Sequence, residues 1–279
     1  MRLAIATCAA LPEGDEDTPA LVAELAALGH RAEAVRWDGP ARWDDYDLVL
    51  VRSTWDYSTR LAEFLAWADS VPRLENRAEV LRWNTDKRYL RDLGAAGVPV
   101  VPTLWDPVEL PEWPDYVIKP AVSAGARDTA RWSAEEAAPA AEHLARLRAE
   151  GQTVMVQPYL DAVDTAGETA LIFFDGEFSH AVRKAPILTA GAGVQPMIAD
   201  EKDAREQITP RAPSKAELAL AAQILAAAPK DLLYARIDLI PGPDGSPVLL
   251  ELELTEPSLF LHHAPTATPH LAQALTRRT

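Results

Sequence analysis

Hydrophobic and polar positions along this chain follow two alternating periods, and the places where they switch divide it. Near the amino end, RLAIAT reads as a strand, TPALVAELAALG as a helix closed by Gly29, RAEAVRW and YDLVLVR as strands, and TRLAEFLAWAD as a helix. Strands interleaved with helices predict a mostly parallel sheet with covering helices, whose ligands gather beyond the carboxyl ends of the strands. RSTWDY follows the apolar run LVLV directly. Arg52, Ser53, Thr54, Asp56 and Tyr57 are therefore candidates for a substrate site, although the string also suits an ordinary strand-to-helix turn.

A second unit begins near LENRAEVLRWNTDKRYLRDLGAAGVPVVPT, where Asp86 is placed to cap a helix that Gly97 ends and Pro99 keeps from continuing. Strand YVIKP, the loop AVSAGARDT, an Ala/Glu/Arg-rich helix from Ser133 to Glu150 and strand TVMVQPYL follow. The last part holds strands ETALIFF and EFSHAVRK joined by Asp175-Gly176, a loop rich in Gly and Pro, a helix from Ser214 to Ala228, and a hairpin turning at Asp244-Gly245. The pattern divides into an α/β unit at 1–84 and two α+β units at 85–156 and 157–279. No internal repeat occurs, and the 23 prolines are spread over connections rather than gathered in one linker.

The final hairpin carries the most chemistry. Residues two apart in a strand share a face, so Glu251 and Glu253 of VLLELEL line one side, as Arg236 and Asp238 of ARIDL do on the neighbouring strand. Pairing the strands gathers three carboxylates and a guanidinium on one surface. Mg²⁺ takes oxygen ligands, usually one or two carboxylates completed by water and substrate phosphate, and the set suits it. The same alternation also describes the solvated face of an exposed hairpin. Lys119 precedes a run of small residues, Ser123-Ala124-Gly125-Ala126, that lets backbone amides approach a phosphate while the lysine supplies a point charge. Lys119 and Lys87 also read as ordinary surface lysines.

Composition narrows the partners. A net charge of −15 disfavours nucleic acid and anionic membranes, which are bound by clustered Lys and Arg. Cys8 is the single cysteine, so no internal disulfide can form and a reducing, cytoplasmic setting is expected. No apolar run approaches the ~20 residues that span a bilayer, and MRLAIAT suits a first buried strand better than an export signal. The turn CAALPEGDEDT lacks the G-x-G-x-x-G of dinucleotide enzymes, and no P-loop string occurs. His262 and His263 are adjacent, the wrong spacing for shared zinc ligation, and with His270 they read as pocket or tail residues.

The order of these features resembles the ATP-grasp superfamily of carboxylate ligases, over about Asn84 to Pro257. The resemblance implies an ATP-grasp fold, a Rossmann-like amino-terminal domain followed by two subdomains that clasp ATP. It implies that Lys87 and Lys119 hold the phosphates under the loop containing Ser123 and Gly125. The hinge Gln157-Pro158-Tyr159-Leu160 would carry the adenine and Glu168 the ribose. The family's R-x-D, followed thirteen residues later by E-x-N, is met by Arg236, Asp238, Glu251 and Glu253. Glu253 departs from the usual asparagine, leaving the number of Mg²⁺ ions open, and Glu256 offers an alternative register. Arg183 and Lys184 fall where the family often places a cation facing the transferred phosphoryl or the substrate.

More narrowly, RSTWDY, WNTDKRYL, GVPVVPT and ELELTEPSLFL are similar to the ATP-grasp group containing the cycloserine-forming ligase, which closes O-ureido-serine into a ring. That similarity implies an ATP- and Mg²⁺-dependent ligase acting on an amino-acid-like carboxylate, with Glu256 and Ser258 beside the substrate and Arg236 stabilising charge on the acyl centre. An intermolecular carboxylate–amine ligase and a non-catalytic ATP-binding sensor are the alternatives. A homodimer is compatible with either.

Overall fold

The computed structural model describes residues 1–196 and 207–278. Among the described residues the strands form three sheets, which meet around one cavity.

The first sheet has the order β2-β1-β3-β4 and is parallel throughout, with β1 Arg2–Thr7, β2 Arg31–Arg36, β3 Leu48–Val51 and β4 Leu74–Glu75. Helices α1 Thr18–Ala27 and α2 Leu61–Ser70 supply the connections that parallel strands require. Every residue of β3 is buried, as expected of a strand covered on both faces. Leu3, Ile5, Leu48 and Leu50 face α1, whereas Ala4, Ala6, Val49 and Val51 pack with Phe64 and Trp67 of α2.

Two short helices follow, α3 Ala78–Asn84 and α4 Tyr89–Ala95. The helix expected between Asp86 and Gly97 forms as α4, and Gly97 follows it with φ 86°. It begins at Tyr89, with Arg88 at the cap position, and the Asp86 carboxylate accepts from the Arg88 amide (2.9 Å) in the turn that leads into it.

The second sheet is antiparallel, in the order β5-β8-β6-β7, with β5 Leu104–Trp105, β6 Asp115–Pro120, β7 Ala130–Ser133 and β8 Val154–Pro158. Helix α5 Ala137–Ala149 packs on it through Leu144 and Leu147. After α6 Ala162–Ala166 comes the largest sheet, antiparallel in the order β11-β10-β9-β12-β13. Its strands are β9 Glu168–Phe174, β10 Glu177–Lys184, β11 Ile208–Pro210, β12 Tyr234–Pro241 and β13 Pro247–Glu253. The β9–β10 turn has positive φ at both Asp175 (50°) and Gly176 (79°), as the Asp-Gly pair predicts. Helix α7 Lys215–Ala227 begins with a capping box in which the Ser214 side chain accepts from the Glu217 amide and the Glu217 carboxylate accepts from the Ser214 amide.

The cores cross the expected divisions. The bound between 156 and 157 falls inside β8, and Leu271 and Leu275 of the last helix, α8 Ala267–Arg277, pack with Leu3, Ile5, Leu21 and Leu25 at the other end of the chain. Val80, Tyr89, Leu90 and Leu93 of α3 and α4 pack on the large sheet with Leu220 and Ile224 of α7. No helix among the described residues is long and apolar enough to cross a membrane.

Candidate active site

The register of β12 against β13 sets the site. Arg236 lies opposite Glu253 and Asp238 opposite Glu251, with an irregularity immediately after Asp238, so the guanidinium and three carboxylates share one face. That face lines a cavity of about 240 Å³. The guanidinium of Arg236 donates to Asp238 (2.9 Å), to Glu253 and to the carbonyl of Ser258 (3.1 Å). Lys184, from β10, reaches Glu168 at 3.2 Å and Asp238 at 3.3 Å. Lys87, between α3 and α4, donates to the Ser123 carbonyl (2.8 Å) and pairs with Glu251 (3.1 Å).

Lys119 also lines the cavity, but no side-chain hydrogen bond or ion pair holds its ammonium among the described residues. Burial pulls its pKa down, only partly opposed by Glu251. For Lys87 burial pulls the same way, yet Glu251, Glu253 and Glu256 outweigh it and the pKa is raised. The acids divide likewise. Burial opposes the charge of Glu251, but Lys87 and Lys119 more than offset it and the pKa is lowered. Glu253 is pushed up to about 7 by burial and by Glu251 and Asp238, in spite of Arg236. Glu256 rises to about 8 through burial and Glu253.

The edge strand β13 is clamped from α3 and α4. Asn84 donates to the Leu252 carbonyl (2.7 Å) and accepts from the Leu254 amide (2.7 Å), and the Leu252 amide donates to the Tyr89 hydroxyl (2.9 Å). Asn84 and Tyr89 flank Lys87 in WNTDKRYL, so one short segment supplies both a cation of the cavity and the scaffold for the acids. Beyond Lys119, Gly125 (φ 57°) and Ala126 (φ 54°) turn the backbone consecutively through the left-handed region and bring the small-residue loop against the cavity.

At another side, Gln157, Tyr159 and Leu160 meet Val101, Val117, Val163, Ile240 and Leu250, a wall suited to a flat aromatic base. Arg131 stacks over Tyr159, 3.5 Å from the ring centre. These valines and isoleucines read as ordinary core in the sequence, which gives no signal that they face a cavity.

Several expected positions lie elsewhere. Arg183 alternates with Lys184 along β10 and points away, donating to the Ala166 (2.8 Å) and Thr165 (3.1 Å) carbonyls. Arg52 is 2 % exposed and does not line the cavity; it donates to Asp15 (2.7 Å) and to the Pro257 carbonyl (2.6 Å). Ser53 bonds Thr7 (2.8 Å), and Asp56 accepts from the Trp37 indole (2.8 Å). Thr54 is buried, its hydroxyl without a partner among the described residues, and it too is outside the cavity lining. Of the RSTWDY string, Tyr57 and the unanticipated Trp55 are what reach the cavity. Glu256 and Ser258 reach it too.

This arrangement has counterparts among known proteins. Residues 3–79 match the model of the D-cycloserine synthetase DcsG N-terminal domain. The chain is 38% identical to the cycloserine biosynthesis protein DcsG of Streptomyces lavendulae, over 99% of this chain and 98% of that protein. It belongs to the DcsG family of ATP-grasp ligases. The crystal structure of D-cycloserine synthetase DcsG superposes with a TM-score of 0.87 at 37% identity, covering 100% of this chain and 99% of that one. The D-alanine–D-alanine ligase of Bacillus anthracis, complexed with ATP, shares the fold at a TM-score of 0.68 and 16% identity, covering 99% and 94% of the two chains. The chain is accordingly an ATP-grasp enzyme of the ADP-forming, carbon–nitrogen bond-forming class.

The donor set fits the nucleotide and metal that such ligases use. Among the described residues no group of three acids, histidines or cysteines is arranged to hold a metal ion unaided. Mg²⁺ needs only one or two carboxylates when phosphates complete its shell. Crowded acids such as Glu253, whose proton affinity is raised by burial and by its carboxylate neighbours, are favourable partners for a divalent cation.

Proposed function

We propose that this ligase activates the carboxylate of an amino-acid-like substrate as an acyl phosphate and closes the molecule into a ring, taking an O-ureido- or O-amino-serine to a cycloserine-type product. The observation that carries the reading is the 38% identity spanning 99% of the chain with a cycloserine biosynthesis protein. The cavity supports it independently, since lysines, an arginine and several carboxylates line it together, the mixture of charge that a phosphate and its metal would require.

ATP would supply the phosphoryl group, with Mg²⁺ neutralising the phosphate charge. Lys87, Lys119 and the loop containing Ser123 and Gly125 would hold the phosphates. Asp238, Glu251 and Glu253 would hold the metal, the hinge at Gln157, Tyr159 and Leu160 the base, and Glu168 the ribose. A carboxylate oxygen of the substrate takes the γ-phosphoryl group as ADP leaves. A nitrogen of the same molecule then attacks the acyl carbon, inorganic phosphate departs, and the nitrogen loses its proton. Arg236, already tied to Asp238 and Glu253, would stabilise negative charge at the acyl centre and on the departing phosphate, and Lys184 lies on the same side. No side-chain nucleophile is needed, because activation makes the carbonyl reactive.

The test is a phosphate-release screen over amino acids and their aminooxy and ureido derivatives, with mass spectrometry of products. Release that depends on the aminooxy acid, with a product lighter by one water, is the expected result; a ureido acid must also shed its carbamoyl group. Amide products joining two substrate molecules would instead establish intermolecular ligation. No phosphate release with any carboxylate would overturn the reading.

A further inference from the structure

Two charged side chains in the cavity have no hydrogen-bonded partner among the described residues: Lys119 and Glu256. Lys119 is explained by a phosphate. Glu256 is not, because a carboxylate repels phosphate and needs a cation.

Glu256 is only 8 % exposed and lines the cavity. Its backbone is fixed with unusual thoroughness. The Trp55 indole donates to the carbonyl of Glu256 (3.2 Å), Arg52 to that of Pro257 (2.6 Å) and Arg236 to that of Ser258 (3.1 Å). Three consecutive carbonyls are thus held by side chains from the segment after β3 and from β12, which fixes the backbone that carries the Glu256 side chain. Arg52, which does not itself line the cavity, is here a positioning residue. The Tyr57 hydroxyl is a second polar group that lines the cavity without a hydrogen-bonded partner among the described residues, and Glu256 is the strongest carboxylate influence on it. Burial and Glu253 raise the pKa of Glu256 to about 8, with Lys87 and Arg236 only partly opposing, so the group gives up its proton reluctantly while no cation is bonded to it. Beside the open Tyr57 hydroxyl it describes a seat for a small cation that donates several hydrogen bonds and holds the ionised form.

We infer that Glu256, assisted by the Tyr57 hydroxyl, binds the α-ammonium group of the substrate. This rests on the ligase reading above for the identity of the substrate as an amino acid. In such a molecule the ammonium lies one carbon from the carboxyl group. Arg236, bonded to the carbonyl of Ser258 two residues from Glu256, lines the same cavity and acts on the Glu256 carboxyl group. A zwitterion would meet an acid and a cation in one site, and an acid without the amino group would leave Glu256 unsatisfied. Sites built to bond a polar group reject analogues that lack it, because their own groups are then stranded.

The experiment is calorimetric binding of racemic O-ureido-serine and of its deamino counterpart, 3-(ureidooxy)propanoic acid, to the protein loaded with a non-hydrolysable ATP analogue and Mg²⁺. Wild type is expected to favour the amino acid on the order of 10–100-fold, the range for a charge-assisted bond. Glu256→Gln should abolish that preference while leaving deamino-acid affinity within about twofold and ATP-analogue affinity unchanged. Glu256→Asp should restore part of it. Tyr57→Phe should reduce it less, by roughly 3–10-fold. Unchanged ATP-analogue affinity also reports an intact fold. The proposal is overturned if wild type shows no preference or binds neither compound. Equal weakening of both compounds by Glu256→Gln, or a shifted Mg²⁺ requirement marking a metal ligand, overturns it as well. Wild type that prefers the amino acid but releases no phosphate from any carboxylate would sink the ligase reading and leave the ammonium seat standing.

Discussion

Lys119 and Glu251 line the same cavity, one on a strand of the second sheet and the other on the edge strand of the third, and they influence one another's protonation. Removing either would change the charge that the phosphoryl group of the proposed reaction meets, although Glu251 keeps Lys87 (3.1 Å). Lys119→Ala and Glu251→Gln are each expected to lower ATP-dependent turnover by about 10²–10³-fold, as when a preorganised electrostatic partner is lost. Steady-state phosphate release measures this; turnover within a few-fold of wild type would remove the residue from the site. A different residue governs acid stability. His143 accepts from the Trp132 indole at Nδ1 (3.1 Å) and donates through Nε2 to the Asp128 carbonyl (3.1 Å), so the neutral ring is bonded at both nitrogens. Burial, then Arg146, brings its pKa from 6.5 to about 4. The unfolded chain therefore takes up the proton first, and stability falls as pH drops from 6.5 toward 4. His143→Gln is expected to be less stable at pH 7 yet lose less on acidification. Urea midpoints at pH 7 and 4.5 check this, and equal losses in both proteins would rule it out.

At the scale of elements, much of the architecture can be read from pattern alone. The alternation in VLLELEL and ARIDL predicts which side chains share a face, and the register of β12 against β13 delivers that face. The Asp-Gly turns and the Ser214 helix start are equally local and equally readable. What escapes the sequence is the fate of a polar group after its element is placed. Arg52, Ser53 and Asp56 follow a buried strand in the position of substrate-binding residues, but neighbours distant in the chain, Asp15, Thr7 and Trp37, take their hydrogen bonds first. Arg183 and Lys184 differ by one step of a strand, and that step sends them to opposite faces. Asn84 shows the reverse case, an unremarked asparagine whose side chain bonds the Leu252 carbonyl of β13 and the Leu254 amide just beyond it. Asn84→Ala would strand a buried carbonyl and a buried amide. It is expected to destabilise the protein by about 2–4 kcal/mol and to weaken turnover through the displaced acids. Denaturation together with kinetics tests both, and an unchanged midpoint would deny Asn84 the role of a clamp.

For the whole molecule, the site exists only where three sheets meet. Trp55 and Tyr57 come from the segment after β3, Lys119 and Gln157 from the second sheet, and the acids from the third. The groups that line the cavity therefore depend on the packing of every unit. Leu271 of α8 is fully buried against the first sheet. Leu271→Ala is expected to cost about 2–5 kcal/mol, as buried leucine truncations do, despite lying far along the chain from any cavity residue of that sheet. A loss under about 0.5 kcal/mol, the range of surface changes, would show that α8 contributes little to holding this face.

That closing helix also dictates a timetable. On the ribosome, Leu3, Ile5 and the α1 leucines that face them lack part of their cover until Leu271 and Leu275 have been synthesised. The nascent amino-terminal layer must wait, with part of an oily flank open to chaperones, for a helix made long after it.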